Sequence, residues 1–505
     1  MESTLLQQLL PAILRAKVYP IARETPLEYA EKLSGRLDNQ LFLKREDLQP
    51  VFSFKLRGAF NKIANLSSEE RERGVVAASA GNHAQGVALS AQYYGIPALI
   101  FMPITTPEIK VRAVSSLGAE VRLVGTNFDE AAEEAARFAK SEHRTLIHPF
   151  DDFDVIAGQG TVAMELARQI DGELDAVFVC VGGGGLLAGV SGYIKSLFPN
   201  VQVIAVEPED APTFYEAKRH GGPKTLKSVG RFADGVSVKR FGELTFQIAG
   251  PCTDDCILVE HDEICAAIRD VFEETRSILE PSGALAVAGM SKWIRECGWK
   301  GKRCVAITSG ANINFDRLRF VAERADIGSN REAVYAVTIP ERPGMFKRFI
   351  EVLGLRQITE FNYRYADPTQ AQIYVGIEVG DRKQRETVLM EIQAAGFQAV
   401  DMTDSEIAKS HLRHMVGGKS SSEIPERLYS VTFQENLGAF REFLEGLHPE
   451  WNISLTHYRN HGGSLGRVLM GFQVNDSEAT IAEILKRLPG EWRDVTDDPF
   501  CKLFL

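Results

Sequence analysis

The sequence predicts an α/β protein in two parts. A large region is built on parallel sheet with helices on both faces, and it is followed by an α+β tail of two βαββαβ modules. Three observations predict this. Between residues 70 and 310, short apolar runs alternate with helical patterns. After about Asp326 the pattern changes, and the sequence repeats itself once. The chain has 505 residues, 44% hydrophobic and 25% charged, which is the balance of a globular protein long enough for two to four domains.

The first residues, 1–18, are amphipathic and carry Glu2 where a secretory signal carries lysine or arginine. They read as an ordinary helix, not a targeting segment. Six apolar runs then read as strands: 75–78, 98–102, 121–124, 176–181, 203–206 and 304–307. Several are apolar throughout, and glycine or proline often follows, as in strands buried on both faces. Helical stretches such as 161–168 lie between them. A parallel sheet flanked by helices is the economical architecture, and a region this long has room for two lobes with a cleft between them.

In the tail, Val334-Tyr335-Ala336-Val337-Thr338-Ile339 is matched 94 residues later by Leu428-Tyr429-Ser430-Val431-Thr432-Phe433. Gly344–Phe349 answers to Gly438–Phe443, Ile358–Arg364 to Ile453–Arg459, and Tyr374–Val379 to Leu469–Val474. Four matched blocks in one order define two copies of one unit. Each copy reads strand, helix, strand, strand, helix, strand, a split βαβ module suited to binding a small molecule or to pairing. The expected division is a first domain over 1–325, a linker over 326–333, modules over 334–405 and 427–505, and a connector over 406–426.

Lysine plus arginine total 57 against 68 for aspartate plus glutamate, a net charge of −11. No basic excess points to nucleic acid or an anionic membrane. No apolar run reaches the ~18–20 residues that cross a bilayer. Seven cysteines are scattered without a C-x-x-C pair, and Cys252 and Cys256 have no histidine at metal-ligand spacing. Reduced thiols, a cytoplasmic location and no metal site are the expectation.

Four segments have the residue types that chemistry needs. Gly182-Gly183-Gly184-Gly185-Leu186 follows the 176–181 run and precedes a helical pattern, so its amides can converge on an anion. Gly183, Gly185 and Ala188 also fit G-x-G-x-x-A, with Glu207 placed as a ribose-binding acid. The loop alone does not separate a dinucleotide from another phosphate ligand. Lys55 lies between Phe54 and Leu56, a setting that desolvates an amine and frees it to attack an aldehyde, or simply a surface lysine at a helix start. Ser79-Ala80-Gly81-Asn82-His83 follows the 75–78 run; it reads either as a loop for a carboxylate with an amide for a ring hydroxyl, or as a helix cap. Ser309 reads as a donor to a neutral ring nitrogen or as a helix N-cap.

Taken together, Ser53–Ala59, Ser79–Gly86, Gly182–Leu186, Glu280–Ala284 and Ser309–Asn312 resemble the pyridoxal-phosphate β-family (fold type II). More closely they resemble the biosynthetic threonine dehydratases, and the tail is similar to that family's paired ACT-like regulatory modules. The resemblance implies a two-lobed, tryptophan-synthase-β-like catalytic domain with pyridoxal 5'-phosphate in a Schiff base on Lys55, beside Phe54. It implies that Asn82 contacts the ring oxygen, Gly182 to Gly185 and Leu186 the phosphate, and Ser309 the ring nitrogen. The substrate carboxylate then falls to Ser79, Ala80, Gly81 and His83. The implied reaction is conversion of L-threonine to 2-oxobutanoate and ammonia, with L-serine as a second substrate. Isoleucine inhibition, relief by valine and a homotetramer are implied too, with Tyr363 and Tyr458 as effector contacts. Related serine racemases carry a serine as a second base where Ala80 stands, so no racemase activity is expected.

Overall fold

The computed structural model describes residues 2–315, 317–328, 331–340, 345–354, 356, 358–363, 369–412, 426–434, 452–458, 465–473, 478–486, 488 and 490–504. The chain divides into two units, Met1–Phe315 and Asp316–Leu505. The helix Arg317–Gly328 lies in the second unit.

Ten strands build the first unit: β1 (Leu27–Tyr29), β2 (Gln40–Lys44), β3 (Val75–Ala78), β4 (Ala98–Met102), β5 (Glu120–Leu123), β6 (Thr145–Leu146), β7 (Ala176–Cys180), β8 (Gln202–Pro208), β9 (Asp255–Val259) and β10 (Arg303–Ile307). They form two sheets, ordered β1-β2-β10-β7-β8-β9 and β5-β4-β3-β6. Every neighbouring pair is parallel except β1 with β2. The two expected lobes are therefore two sheets, and all six apolar runs are strands. Every residue of β3, β4 and β7 is buried, as parallel strands covered by helices require. β5 is a sheet edge, and Glu120, Arg122 and Leu123 face solvent there.

The helix Lys55–Ala64 packs against helices Asn82–Tyr94 and Phe153–Gln169. Its anchor is a fully buried ion cluster. Arg57 donates to Glu46 (Nε to Oε2, 2.7 Å) and to Glu165 (Nη1 to Oε1, 2.5 Å), and Lys44 Nζ donates to Glu165 Oε2 at 2.7 Å. Burial alone raises the Glu46 pKa, but the Arg57 charge and hydrogen bonds outweigh it and hold the carboxyl below its ordinary value. Lys44 closes β2, so a buried charge ends a strand whose apolar run is only the three residues Leu41-Phe42-Leu43.

The second unit holds two four-stranded antiparallel sheets with the same order. The first contains β11 (Glu332–Pro340), helix Met345–Leu353, β12 (Ile358–Tyr363), β13 (Gln370–Glu378), helix Arg382–Ala394 and β14 (Gln398–Asp401), arranged β12-β13-β11-β14. The second contains β15 (Glu426–Gln434), β16 (Asn452–Tyr458), β17 (Leu465–Gln473), helix Glu478–Leu485 and β18 (Glu491–Asp494), arranged β16-β17-β15-β18. The repeat read from sequence is a structural repeat, down to matching irregularities at Ile358/Glu360 and Ile453/Leu455. The expected helix at 438–443 and most of the connector (413–425) lie outside the described residues. Alternation along the strands sorts the cores. Tyr335, Val337, Ile373 and Val375 pack under helices, whereas Val334, Ala336 and Tyr374 join Leu428 and Leu469 in one cluster between the two modules. His411 and His457 meet at this junction, Nδ1 to Nδ1, at 3.0 Å.

Candidate active site

Parallel strands end in loops on one side of their sheet, and ligands collect there. Three of the predicted segments follow β3, β7 and β10. The fourth, ahead of helix Lys55–Ala64, is joined to them by an antiparallel bridge between Ser53 and Gly310 and by the Phe54 amide on Ser309 O at 3.2 Å. Asn312 completes the stitching, donating Nδ2 to Val51 O (2.8 Å) and to Asn82 Oδ1 (2.7 Å).

These loops surround a pocket enclosing about 430 Å³, counting its open side. Phe54, Lys55, Asn82, the four glycines from Gly182 to Gly185, Leu186 and Ser309 all line it. The Lys55 amine donates to Pro149 O at 2.9 Å and sits 5.4 Å from the centre of the Phe54 ring. Burial lowers its pKa to about 8, against opposing contributions from Cys180 and Glu280. A desolvated amine of this kind is a nucleophile near neutral pH.

In the same pocket, Gly184 adopts φ +95° and caps the start of the helix Gly185–Leu197. A side chain is strained in that conformation. At Gly183 a Cβ would lie 2.3 Å from the Phe150 ring. Glycine is thus needed on both steric and conformational grounds, and the turn presents unscreened amides at a helix start, the natural seat of a phosphate.

Ser309 Oγ lies 3.3 Å from Ser282 O and forms a hydrogen bond with Cys180, whose thiol burial pushes up to about 11. Asn82 opens the helix Asn82–Tyr94, and its Nδ2 donates to Glu280 Oε1 at 2.6 Å. That leaves the second Nδ2 proton for a ligand. Ser282 Oγ is buried in the pocket wall without a hydrogen-bond partner among the described residues. Amine, anion cradle, hydroxyl and amide, together with this orphaned hydroxyl, fit pyridoxal phosphate: an aldehyde, a phosphate, a ring nitrogen and a ring oxygen.

Ser79, Ala80, Gly81 and His83 form the turn that delivers Asn82, and of this loop Asn82 alone lines the pocket. His83 is buried, with Nε2 bonded to Ile147 O at 2.8 Å. Burial and the nearby Lys55 charge push its pKa down to about 3, so the ring stays neutral. Tyr363 and Tyr458 hold equivalent backbone positions on edge strands β12 and β16, paired with Ile373 and Val468, and their side chains lie outside the described part. Sequence reasoning missed Phe150, Cys180, Gly235, Val236, Glu280 and Ser282 as pocket residues. Only Glu280 and Ser282 left a signal, in the Glu-Pro-Ser-Gly run that opens the helix Pro281–Cys297.

Fold and pocket define a pyridoxal-phosphate-dependent enzyme. Residues 18–310 match the family described as pyridoxal-phosphate dependent enzyme. Residues 323–412 and 417–505 match the C-terminal regulatory domain of threonine dehydratase. The chain is 51% identical over 498 residues to L-threonine dehydratase biosynthetic IlvA of Pasteurella multocida, covering 98% of this chain and 97% of that one. It is 50% identical to the Escherichia coli IlvA, covering 98% and 96%. Among solved structures, the processed form of threonine deaminase isoform 2 from Solanum lycopersicum matches with a TM-score of 0.63 and 48% identity, covering 64% of this chain and 89% of that one. Serine racemase from Dictyostelium discoideum matches at 0.56 and 34%, covering 61% and 99%. The chain belongs to the biosynthetic threonine dehydratase family.

Proposed function

We propose that the first unit dehydrates and deaminates L-threonine to 2-oxobutanoate and ammonia, the committed entry to isoleucine synthesis, and that the second unit regulates it. The observation that carries this is the Lys55 amine, depressed to about 8 and set in one pocket with the glycine turn. Bound pyridoxal phosphate supplies an electron sink for charge developing at the substrate Cα. Lys55 Nζ would hold the cofactor aldehyde and, as a free amine of lowered pKa, would take the proton from the substrate Cα. The amides of the Gly182–Leu186 turn and the start of the Gly185–Leu197 helix neutralise the phosphate. Ser309 would meet the ring nitrogen with a hydroxyl and not an acid, and so would supply no proton to it. Asn82 holds the ring oxygen, and backbone amides of the Ser79–His83 turn hold the substrate carboxylate. Ala80 offers no second base, so the product pool contains no D-amino acid. L-Serine, smaller by one methyl, is a second substrate.

In this reading 1–325 is catalytic, 326–333 a linker, 334–405 and 427–505 the effector-binding modules, and 406–426 their connector. Isoleucine inhibits and valine relieves, through sites that include Tyr363 and Tyr458. An effector acts only by its differential affinity for two states of the enzyme. The working form is a cytoplasmic homotetramer; none of the seven cysteines is in a disulfide, which accords with a reducing compartment. No helix among the described residues is long and apolar enough to cross a membrane. The test is 2-oxobutanoate formation from L-threonine with and without isoleucine, using wild type and Lys55→Ala. Wild type forms product and loses activity with isoleucine, and the variant forms none. Product from Lys55→Ala, or indifference of wild type to isoleucine, overturns the corresponding half.

A further inference from the structure

The amides of the glycine turn are aimed from behind. Gly182 O accepts a hydrogen bond from Thr213 Oγ1 at 3.0 Å, and Gly183 O accepts one from Thr245 Oγ1 at 2.8 Å. Both threonines are fully buried, and neither lines the pocket. In a planar trans peptide the carbonyl and the following N–H point in opposite directions. Drawing Gly182 O away from the pocket therefore turns the Gly183 N–H toward it. Drawing back Gly183 O does the same for the Gly184 N–H. The Gly242 amide, 3.2 Å from Gly183 O, reinforces the second peptide.

Each threonine is itself fixed. Thr213 begins the helix Thr213–His220, which is held at its start by Glu207: Oε1 accepts from the Phe214 amide at 2.8 Å and Oε2 from the Tyr215 amide at 2.9 Å. Thr213 Oγ1 is also 3.0 Å from Glu207 Oε1, so carboxylate and glycine turn share one hydroxyl. Thr245 lies in the first turn of the helix Glu243–Cys252, capped by Asp151 through the amides of Leu244 and Thr245 at 2.9 and 3.0 Å. Asp151 neighbours Phe150 of the pocket wall.

We propose that Thr213 and Thr245 are positioning residues for the anion cradle: their hydroxyls set the peptide orientation that lets the glycine turn select a phosphorylated cofactor over its dephosphorylated form. The proposal rests on the reading that this turn holds the cofactor phosphate. A hydroxyl-to-carbonyl bond contributes modestly, so loss of either weakens phosphate binding by about fivefold.

The test uses full-length apoenzyme and titrates pyridoxal 5'-phosphate and pyridoxal separately, following the absorbance of the adduct at Lys55. Wild type prefers the phosphorylated compound. Thr213→Val and Thr245→Val each raise the dissociation constant for pyridoxal phosphate about fivefold and leave that for pyridoxal within twofold. Thr213→Ser restores the wild-type ratio. Equal weakening for both compounds, as from a damaged fold, or no weakening at all, overturns the proposal. A wild type that does not distinguish the two compounds instead overturns the assignment of the turn to the phosphate.

Discussion

Apoenzyme mixed with pyridoxal phosphate at varied pH reports directly on the Lys55 amine. Burial lowers its pKa to about 8, while Glu280 and Cys180 oppose the shift. Cys180 remains a thiol through neutral pH because burial lifts it to about 11, so Glu280 is the opposing charge in the working range. At pH 7 an amine of pKa 8 is about 9% free base, against about 0.03% for an ordinary lysine, an advantage of about 300-fold. The second-order rate of adduct formation, measured by stopped flow between pH 6 and 10 and divided by the rate constant of a small alkylamine in its free-base form, therefore rises with a midpoint near 8. Glu280→Gln removes the charge that favours the ammonium form and moves the midpoint lower. Lys55→Ala forms no borohydride-stable adduct. A wild-type midpoint above about 9.5, where an unperturbed lysine titrates, refutes the argument. So does a midpoint that moves upward in Glu280→Gln.

Three further outcomes follow from the geometry. Arg57→Met leaves the buried Glu46 carboxylate without its cation and Glu165 with Lys44 alone, and costs about 3–5 kcal/mol in urea unfolding, a loss that a change below about 1 kcal/mol would contradict. Glu207 is raised to about 7 by burial, against the amides of Phe214 and Tyr215, from an ordinary 4.5. Between those values the folded chain keeps a proton that the unfolded chain releases, so stability falls as pH rises from 4.5 to 7, by about 3 kcal/mol at most. Glu207→Gln flattens that slope, and an unchanged slope in the variant would assign the effect elsewhere. Tyr363→Ala and Tyr458→Ala each shift the isoleucine inhibition curve to higher concentration, and wild-type curves in both would remove these residues from the effector sites.

How much of the fold was legible depended on where each strand lies. β3, β4 and β7 are buried on both faces, so their sequences are apolar end to end and announce themselves. β2 is equally structural, but its register ends at Lys44, whose charge is satisfied by Glu165 at a sequence separation of 121 residues. No local pattern records such a partner. β1 and β6 have three and two residues, too few for any periodicity. The tail was legible because it occurs twice: four matched blocks substitute for the hydrophobic contrast that each strand alone lacks, and the shared sheet order follows.

The site was legible for a related reason. Its pocket-lining groups named from sequence include glycines, an amide, an amine and a hydroxyl, residue types dictated by chemistry more than by packing. What sequence could not supply is the wall. Phe150 enters because it packs against Gly183, and Glu280 because its carboxylate accepts from Asn82, contacts that span 33 and 198 positions of chain. The Lys55 environment is the intermediate case. Phe54 and Leu56 are compatible with a desolvated amine or with a surface lysine at a helix start, and burial in the folded chain decides for the first. Local sequence therefore names the candidate groups, and the long-range contacts set the surroundings in which they sit.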